Sequence, residues 1–109
     1  MRDDRERLRD ILEAVERIDR YARDGRERFE TDELVQTWIV HNLQIIGESC
    51  RTISVPFREA HSEIPWSRII GMRNILVHDY FGIDTDVVWE AVEKEIPQLR
   101  ERTRAILEQ

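Results

Sequence analysis

Apolar residues in this chain recur at three- and four-residue steps from one end to the other, and nowhere do they alternate at the two-residue period of a strand. Leu8, Ile11, Leu12, Val15, Ile18 and Ala22 draw one stripe along residues 4–24, the mark of a long amphipathic helix. Its other face places acids four residues before arginines: Asp3–Arg7, Glu13–Arg17, Glu16–Arg20 and Asp19–Arg23. Such pairs add about 0.3–0.5 kcal/mol each, and solvated pairing accounts for these arginines more simply than nucleic-acid binding does. Gly25 stops the helix in the manner of a left-handed C-terminal cap.

The same period continues. Thr31 or Asp32 caps a second helix running to about Ile53, with an apolar face of Leu34, Val35, Trp38, Ile39, Ile45, Ile46 and Cys50, and Leu43 on its flank. Gly47 permits close helix approach there. His41 falls in line with the stripe 34–38–41–45, which reads most simply as a core histidine, with an active-site role as the alternative. Cys50 reads as a small buried hydrophobe. Residues 54–66 hold two prolines and form a connection, with one helical turn possible after Pro56 and His61 exposed within it. A third helix starts at Pro65 or Trp66, frays near Tyr80 or Phe81 and ends at Gly82. Asp84 or Thr85 opens a fourth through Val87, Val88, Trp89 and Val92. Pro97 forces a kink or restart near Ile96 before a last segment with Leu99, Ile106 and Leu107. The expected fold is all-α: four or five helices in an antiparallel bundle, one domain over residues 1–109.

Bulk properties narrow the function. The single cysteine excludes an internal disulfide and fits a reducing cytosol, and no apolar run approaches the roughly 20 residues of a membrane span. A cytoplasmic protein without a membrane contact is expected. Net charge is −6, which disfavours a broad nucleic-acid-coating surface. Residues 1–28 carry nine arginines and nine acids, so the deficit lies beyond them and any RNA contact is local or built between subunits. Three scattered histidines and one cysteine make poor material for a metal site, and no glycine-rich phosphate loop is present.

The chemistry gathers in residues 65–89, where Arg73, Asn74, His78 and Tyr80 share one helical pattern among Ile69, Ile70, Met72, Ile75, Leu76 and Val77. At about 100° per residue, Asn74 and His78 stack on one face. An arginine fork matches phosphate oxygens and a histidine moves a proton near neutral pH. Together they suit metal-free transesterification of RNA, in which the ribose 2′-OH attacks the neighbouring phosphate: His78 transfers the proton, Arg73 stabilises the charge that develops, and Asn74 supports. One subunit offers one such histidine for two proton steps, so a homodimer with a composite site is expected, through the central helix and its apolar surplus at 69–77. The structural alternative is that Arg73 pairs with an acid, His78 caps a helix end and Tyr80 closes the core.

The segment IPWSRIIGMRNILVHDYFGIDTDVVW resembles the signature region of the HepT-like toxins, within the HEPN superfamily of small all-helical ribonucleases. Their motif, Arg, four to six residues, His, any residue and Tyr, is matched without a gap by Arg73–Tyr80. LQIIGES at 43–49 and VWEAVEKEIPQLR at 88–100 are similar to the helices that flank it, so the resemblance spans most of the chain from residue 31. The resemblance implies a HEPN-like bundle, usually a homodimer, and a metal-independent endoribonuclease needing no cofactor. It also implies an RNA substrate and a cognate nucleotidyltransferase antitoxin of the MntA-like kind, which neutralises the toxin by transferring AMP to the motif tyrosine, here Tyr80. His41 and Glu48 would approach the site without being assigned to catalysis. A non-catalytic helical module that docks a nucleotidyltransferase is the alternative reading.

Overall fold

Asp3 opens the first helix, α1 (Asp4–Ala22), by accepting a hydrogen bond from the Glu6 amide at 2.8 Å, a cap that satisfies one of the four free N–H groups of a helix start. The computed structural model describes residues 3–77 and 84–109, and for residues 73–77 the backbone alone. Leu8, Ile11, Ala14, Val15 and Ile18 are fully buried along α1, as the stripe requires. The expected charge ladder is mostly not used within the helix. Arg17 does reach Glu13, at 2.5 Å, but Glu16 and Asp19 turn to Arg104 (3.7 Å) and Arg100 (3.1 Å) of the last helix. Arg7 donates to the Thr52 hydroxyl at 2.6 Å. The reason is competition: a partner on an adjacent helix is as close as one four residues along, and the packing settles which is met.

Gly25 has φ 92° and ψ 175°, so it leaves the helix through a positive-φ conformation, though an extended rather than a left-handed helical one. A Cβ there would meet nothing within 4 Å; backbone conformation alone selects glycine. A short helix follows, α2 (Arg26–Thr31), whose Phe29 is fully buried against Trp89 with ring centroids 5.3 Å apart. Asp32 then caps α3 (Glu33–Thr52), accepting from the amides of Leu34 and Val35. Ser54 caps a second short helix, α4 (Val55–Ala60), with Pro56 in its first turn. Next come α5 (Trp66–Val77) and, beginning after Asp84 as its cap, α6 (Thr85–Glu90).

The restart demanded by Pro97 takes a definite form. Ala91–Glu95 form a π-helical turn, closed by the Ile96 amide donating to the Ala91 carbonyl, and α7 (Ile96–Leu107) begins with Pro97 in its first turn. Widening the ladder by one residue lets the proline, which has no N–H, fall where none is needed.

Packing follows from these stripes. α1 lies along α3, antiparallel, with Arg7 at Thr52 and Tyr21 at Trp38; α5 packs on α3, and α7 on α1. Arg5 donates to the Leu107 carbonyl at 2.6 Å, so α7 too runs antiparallel to α1. The result is the expected all-α antiparallel bundle, with α2 as an added short element and α4 at the helical turn the sequence allows after Pro56. Its core joins α1, α3, α5, α6 and α7 around Ile11, Ile39, Ile46, Val88 and Ile96. Among the described residues no helix is long and apolar enough to cross a membrane.

One face was misjudged from the stripe. In α3 the buried set is Ile39, Val40, Asn42, Leu43, Ile46, Gly47 and Cys50, so Leu43 is central rather than flanking. Leu34 and Trp38 face solvent, at 82% and 38% exposure. Position along one helix cannot distinguish two adjacent apolar stripes when only one has a neighbour to cover it.

Candidate functional site

α5 is anchored at its start. Trp66 is buried and its indole N–H donates to the His61 carbonyl at 3.0 Å, while Ile64 and Ile69 bury on either side of it in sequence. Ile70 and Met72, part of the expected apolar surplus, pack against the core rather than standing free. Ile70 and Met72 are partly buried there, and Ile69 and Met72 also border open space. Arg68, one residue before Ile69, reaches Glu95 of the π-helical turn at 2.5 Å. Beside this ion pair a groove of about 390 Å³ runs between α5 and the α6–π segment, floored by Ile69, Gly71, Met72, Val87 and Ala91. At Gly71 a Cβ would meet nothing within 4 Å.

Arg73 and Asn74 lie in the last turns of α5, which the backbone shows to be helical through Val77. Their side chains, and His78 and Tyr80 altogether, lie outside the described residues, as does the expected fraying and termination at 80–82. The described structure thus carries the motif's first half on a helix packed against α3.

The secondary candidates are placed clearly. His41 is exposed, which overturns its reading as a core histidine; its ring stacks on Trp38 with centroids 5.4 Å apart and an interplanar angle of 27°. His61 is only partly exposed: its amide closes α4 by donating to Phe57 and Arg58 carbonyls, and its ring lies 4.4 Å from that of Phe57. Its Nδ1 stands 3.4 Å from Glu63. That is a local structural role rather than an exposed loop side chain. Glu48 is engaged by Arg51 at 2.5 Å. Cys50 is fully buried, and that burial pushes its thiol up to about 12, so the nucleophilic thiolate is absent near neutral pH.

Asn42 escaped the sequence reading. It is fully buried, its amide donates to the Trp38 carbonyl at 2.9 Å, and its Oδ1 has no partner among the described residues. A polar residue interrupting VHNLQII was the available signal, but a single asparagine in a helix gives no indication of which neighbour will cover it. Among the described residues no group of three or more His, Cys, Asp and Glu side chains is placed to hold a metal ion.

Comparison with known proteins gives the class first. The fold is an all-α bundle of the HEPN kind: it matches over its full length, and over the full length of the other chain, a solved structure of a tri-AMPylated Shewanella oneidensis HEPN toxin in complex with MNT antitoxin, at a TM-score of 0.70 and 23% identity. The family model described as ribonuclease HepT-like matches residues 11–106, and the chain belongs to that family, which classes it as a ribonuclease. A Thermococcus cleftensis protein named "Probable ribonuclease HepT" is 40% identical over 94 residues, 85% of this chain and 86% of that one. A Methanocaldococcus jannaschii protein, whose name joins a gamma-glutamylcyclotransferase to a provisional RNase, is 39% identical over 103 residues. That match takes in 94% of this chain, which spans 46% of the length of the M. jannaschii protein.

Proposed function

We propose that this protein is the ribonuclease toxin of a toxin–antitoxin pair, cutting RNA internally by metal-independent transesterification at the Arg73–His78 motif. The observation that carries this reading is the family match across residues 11–106, which contains the whole motif. In the mechanism His78 takes the 2′-OH proton or protonates the leaving oxygen, and Arg73 holds the phosphate as charge builds on it. Asn74, the next residue along α5, supports the substrate. Proton transfer of this kind supplies about 10²–10⁴-fold, and electrostatic stabilisation about 3–4 kcal/mol more. Two proton steps against one motif histidine call for a homodimer with a composite site. No cofactor takes part, and the protein acts in the cytoplasm.

The antitoxin partner is a minimal nucleotidyltransferase. The likeness to a tri-AMPylated HEPN toxin in complex with MNT antitoxin supports both that partner and AMP transfer as the means of control. On this chain the acceptor is Tyr80, the motif tyrosine.

The test is cleavage of a labelled RNA by wild type, Arg73→Ala and His78→Ala. Wild type should leave a 2′,3′-cyclic phosphate on the 5′ fragment and work equally well in chelator. Each variant should lose at least about 100-fold in rate, with helical content unchanged. Cleavage that survives His78→Ala, or that stops in chelator, rules out this mechanism. If wild type fails to cleave but still captures the nucleotidyltransferase, the non-catalytic docking module is the correct account.

A further inference from the structure

Arg58, in α4, is half-buried, yet its guanidinium meets no carboxylate among the described residues. Its Nε is shut off from solvent and has no acceptor there either. A guanidinium N–H that loses water without gaining a partner raises the free energy of the folded chain, and an anion from outside would offset that. The side chain borders a groove of about 640 Å³ between α4 and the first turn of α5, with Val55 and Pro65 among its apolar walls.

The polar groups of this groove are nearly all able to donate. Ser62 and Ser67 line it, and neither hydroxyl makes a hydrogen bond among the described residues. Arg68 gives one nitrogen to Glu95 at 2.5 Å and keeps further N–H groups. To these side chains the start of α5 adds its partial positive charge, since the amides of Ser67 and Arg68 have no carbonyl acceptor among the described residues. Against them stands one carboxylate, that of the exposed Glu59. A surplus of donors around one unmatched cation fits a singly charged group with several acceptor oxygens, which describes a phosphodiester.

The surroundings indicate what carries that phosphate. An isolated phosphate ion would leave the apolar wall unused, whereas Val55, 54% exposed, offers a surface on which a ribose or a base can lie. The net charge of −6 rules out a broad basic face, so a contact with RNA has to be local, as this one is. Asn74 follows Ser67 by two turns, about 11 Å along the axis, so the two positions lie on one face of α5. That distance is a few nucleotides of one strand.

We propose that the Arg58–Ser62–Ser67 groove holds a backbone phosphate of the RNA substrate away from the bond that is cut, so that α5 takes one strand at its start and presents the scissile phosphate at its motif. This rests on the proposed ribonuclease reading and gives that enzyme a second contact with its substrate. Arg58 positions the strand and takes no part in the chemistry.

Fluorescence anisotropy on the full chain decides it, with a labelled single-stranded RNA whose 2′-hydroxyls are methylated so that it cannot be cut. Arg58→Ala should weaken binding at least about 10-fold and lower the slope of log K against log salt by about 0.7, the share of one phosphate contact. Ser67→Asp puts a carboxylate at an exposed position where the start of a helix favours one. It should fold as well as wild type and bind as weakly as Arg58→Ala. Arg9→Ala removes an exposed charge from α1 and should bind like wild type. On cleavable RNA, Arg58→Ala should raise KM about 10-fold and leave kcat unchanged. No binding by wild type, full binding by Ser67→Asp, an unaltered salt slope in Arg58→Ala, or a loss confined to kcat overturns the proposal. So does displacement of the RNA by inorganic phosphate at the same phosphate concentration, which would make this a free-phosphate site. Arg58-dependent binding of polyglutamate in place of RNA would give the groove to an acidic protein segment instead. Arg58-dependent binding by a wild type that cuts no RNA sinks the ribonuclease reading and leaves the groove standing; cleavage by Arg58→Ala at wild-type KM does the reverse.

Discussion

The imidazole of His41 lies almost parallel to the indole of Trp38, 5.4 Å between centroids, and both rings are open to solvent. Two residues three apart in a helix are neighbours on its surface, so the stack is local and needs no other element to form it. It keeps the imidazole at a defined place on the outer face of α3, over an indole that Tyr21 of α1 also touches.

Removing that imidazole should therefore cost little. His41→Ala is expected to lower unfolding free energy by no more than about 1 kcal/mol, the scale of an exposed aromatic pair. Urea denaturation measures it; a loss above about 2 kcal/mol, as for a buried group left without its partner, would show that His41 holds the core.

Phe29 should behave in the opposite way. It is the sole buried residue of α2 and packs on Trp89 of α6, so one side chain ties a six-residue helix to the far end of the chain. Phe29→Ala should cost about 3–5 kcal/mol and red-shift the emission of Trp89. An unchanged thermal midpoint would mean that α2 contributes nothing to the bundle.

Cys50 sets a pH dependence. Burial raises its thiol from 9.0 to about 12, so the folded protein keeps a proton that the unfolded chain releases earlier. The associated stability is fully present below pH 9.0 and is lost as pH rises toward about 12, at up to about 1.4 kcal/mol per pH unit. Cys50→Ala should flatten that alkaline limb. In native protein at pH 8 the thiol should resist a disulfide reagent that reacts at once in denaturant; prompt native reaction would contradict the burial.

Control at Tyr80 gives the last expectation. AMP attached to its hydroxyl places a phosphodiester charge in the motif with Arg73, where the two can form a charge-assisted pair and withdraw the arginine from RNA phosphate. Co-expression with the nucleotidyltransferase should add mass in units of AMP to the peptide containing Tyr80, and Tyr80→Phe should block the addition and resist neutralisation. Mass on another residue, or a Phe variant neutralised as readily as wild type, defeats this mode of control while leaving cleavage untouched.

Much of the helical plan is written in local chemistry. Asp3, Asp32 and Asp84 cap helices because a short carboxylate reaches its own backbone amides, and Pro97 breaks a ladder because it lacks an N–H; neither depends on a neighbour. Residues 73–80 likewise display, as a spacing, the motif that together with its flanks resembles the HepT-like toxins, and the family model over residues 11–106 shows the membership. What the sequence could not decide was which of two apolar stripes on α3 the bundle would cover. Leu34, Trp38 and His41 share a period with Ile45 just as Ile39, Leu43 and Ile46 do with Cys50, and hydrophobicity has no direction. Only the docking of α1 and α5 put the second set inside and left the first in water. The same docking drew Glu16 and Asp19 away from Arg20 and Arg23 to Arg104 and Arg100 of α7, because a charge pairs with the opposite charge that packing brings near, and packing is a property of the whole chain.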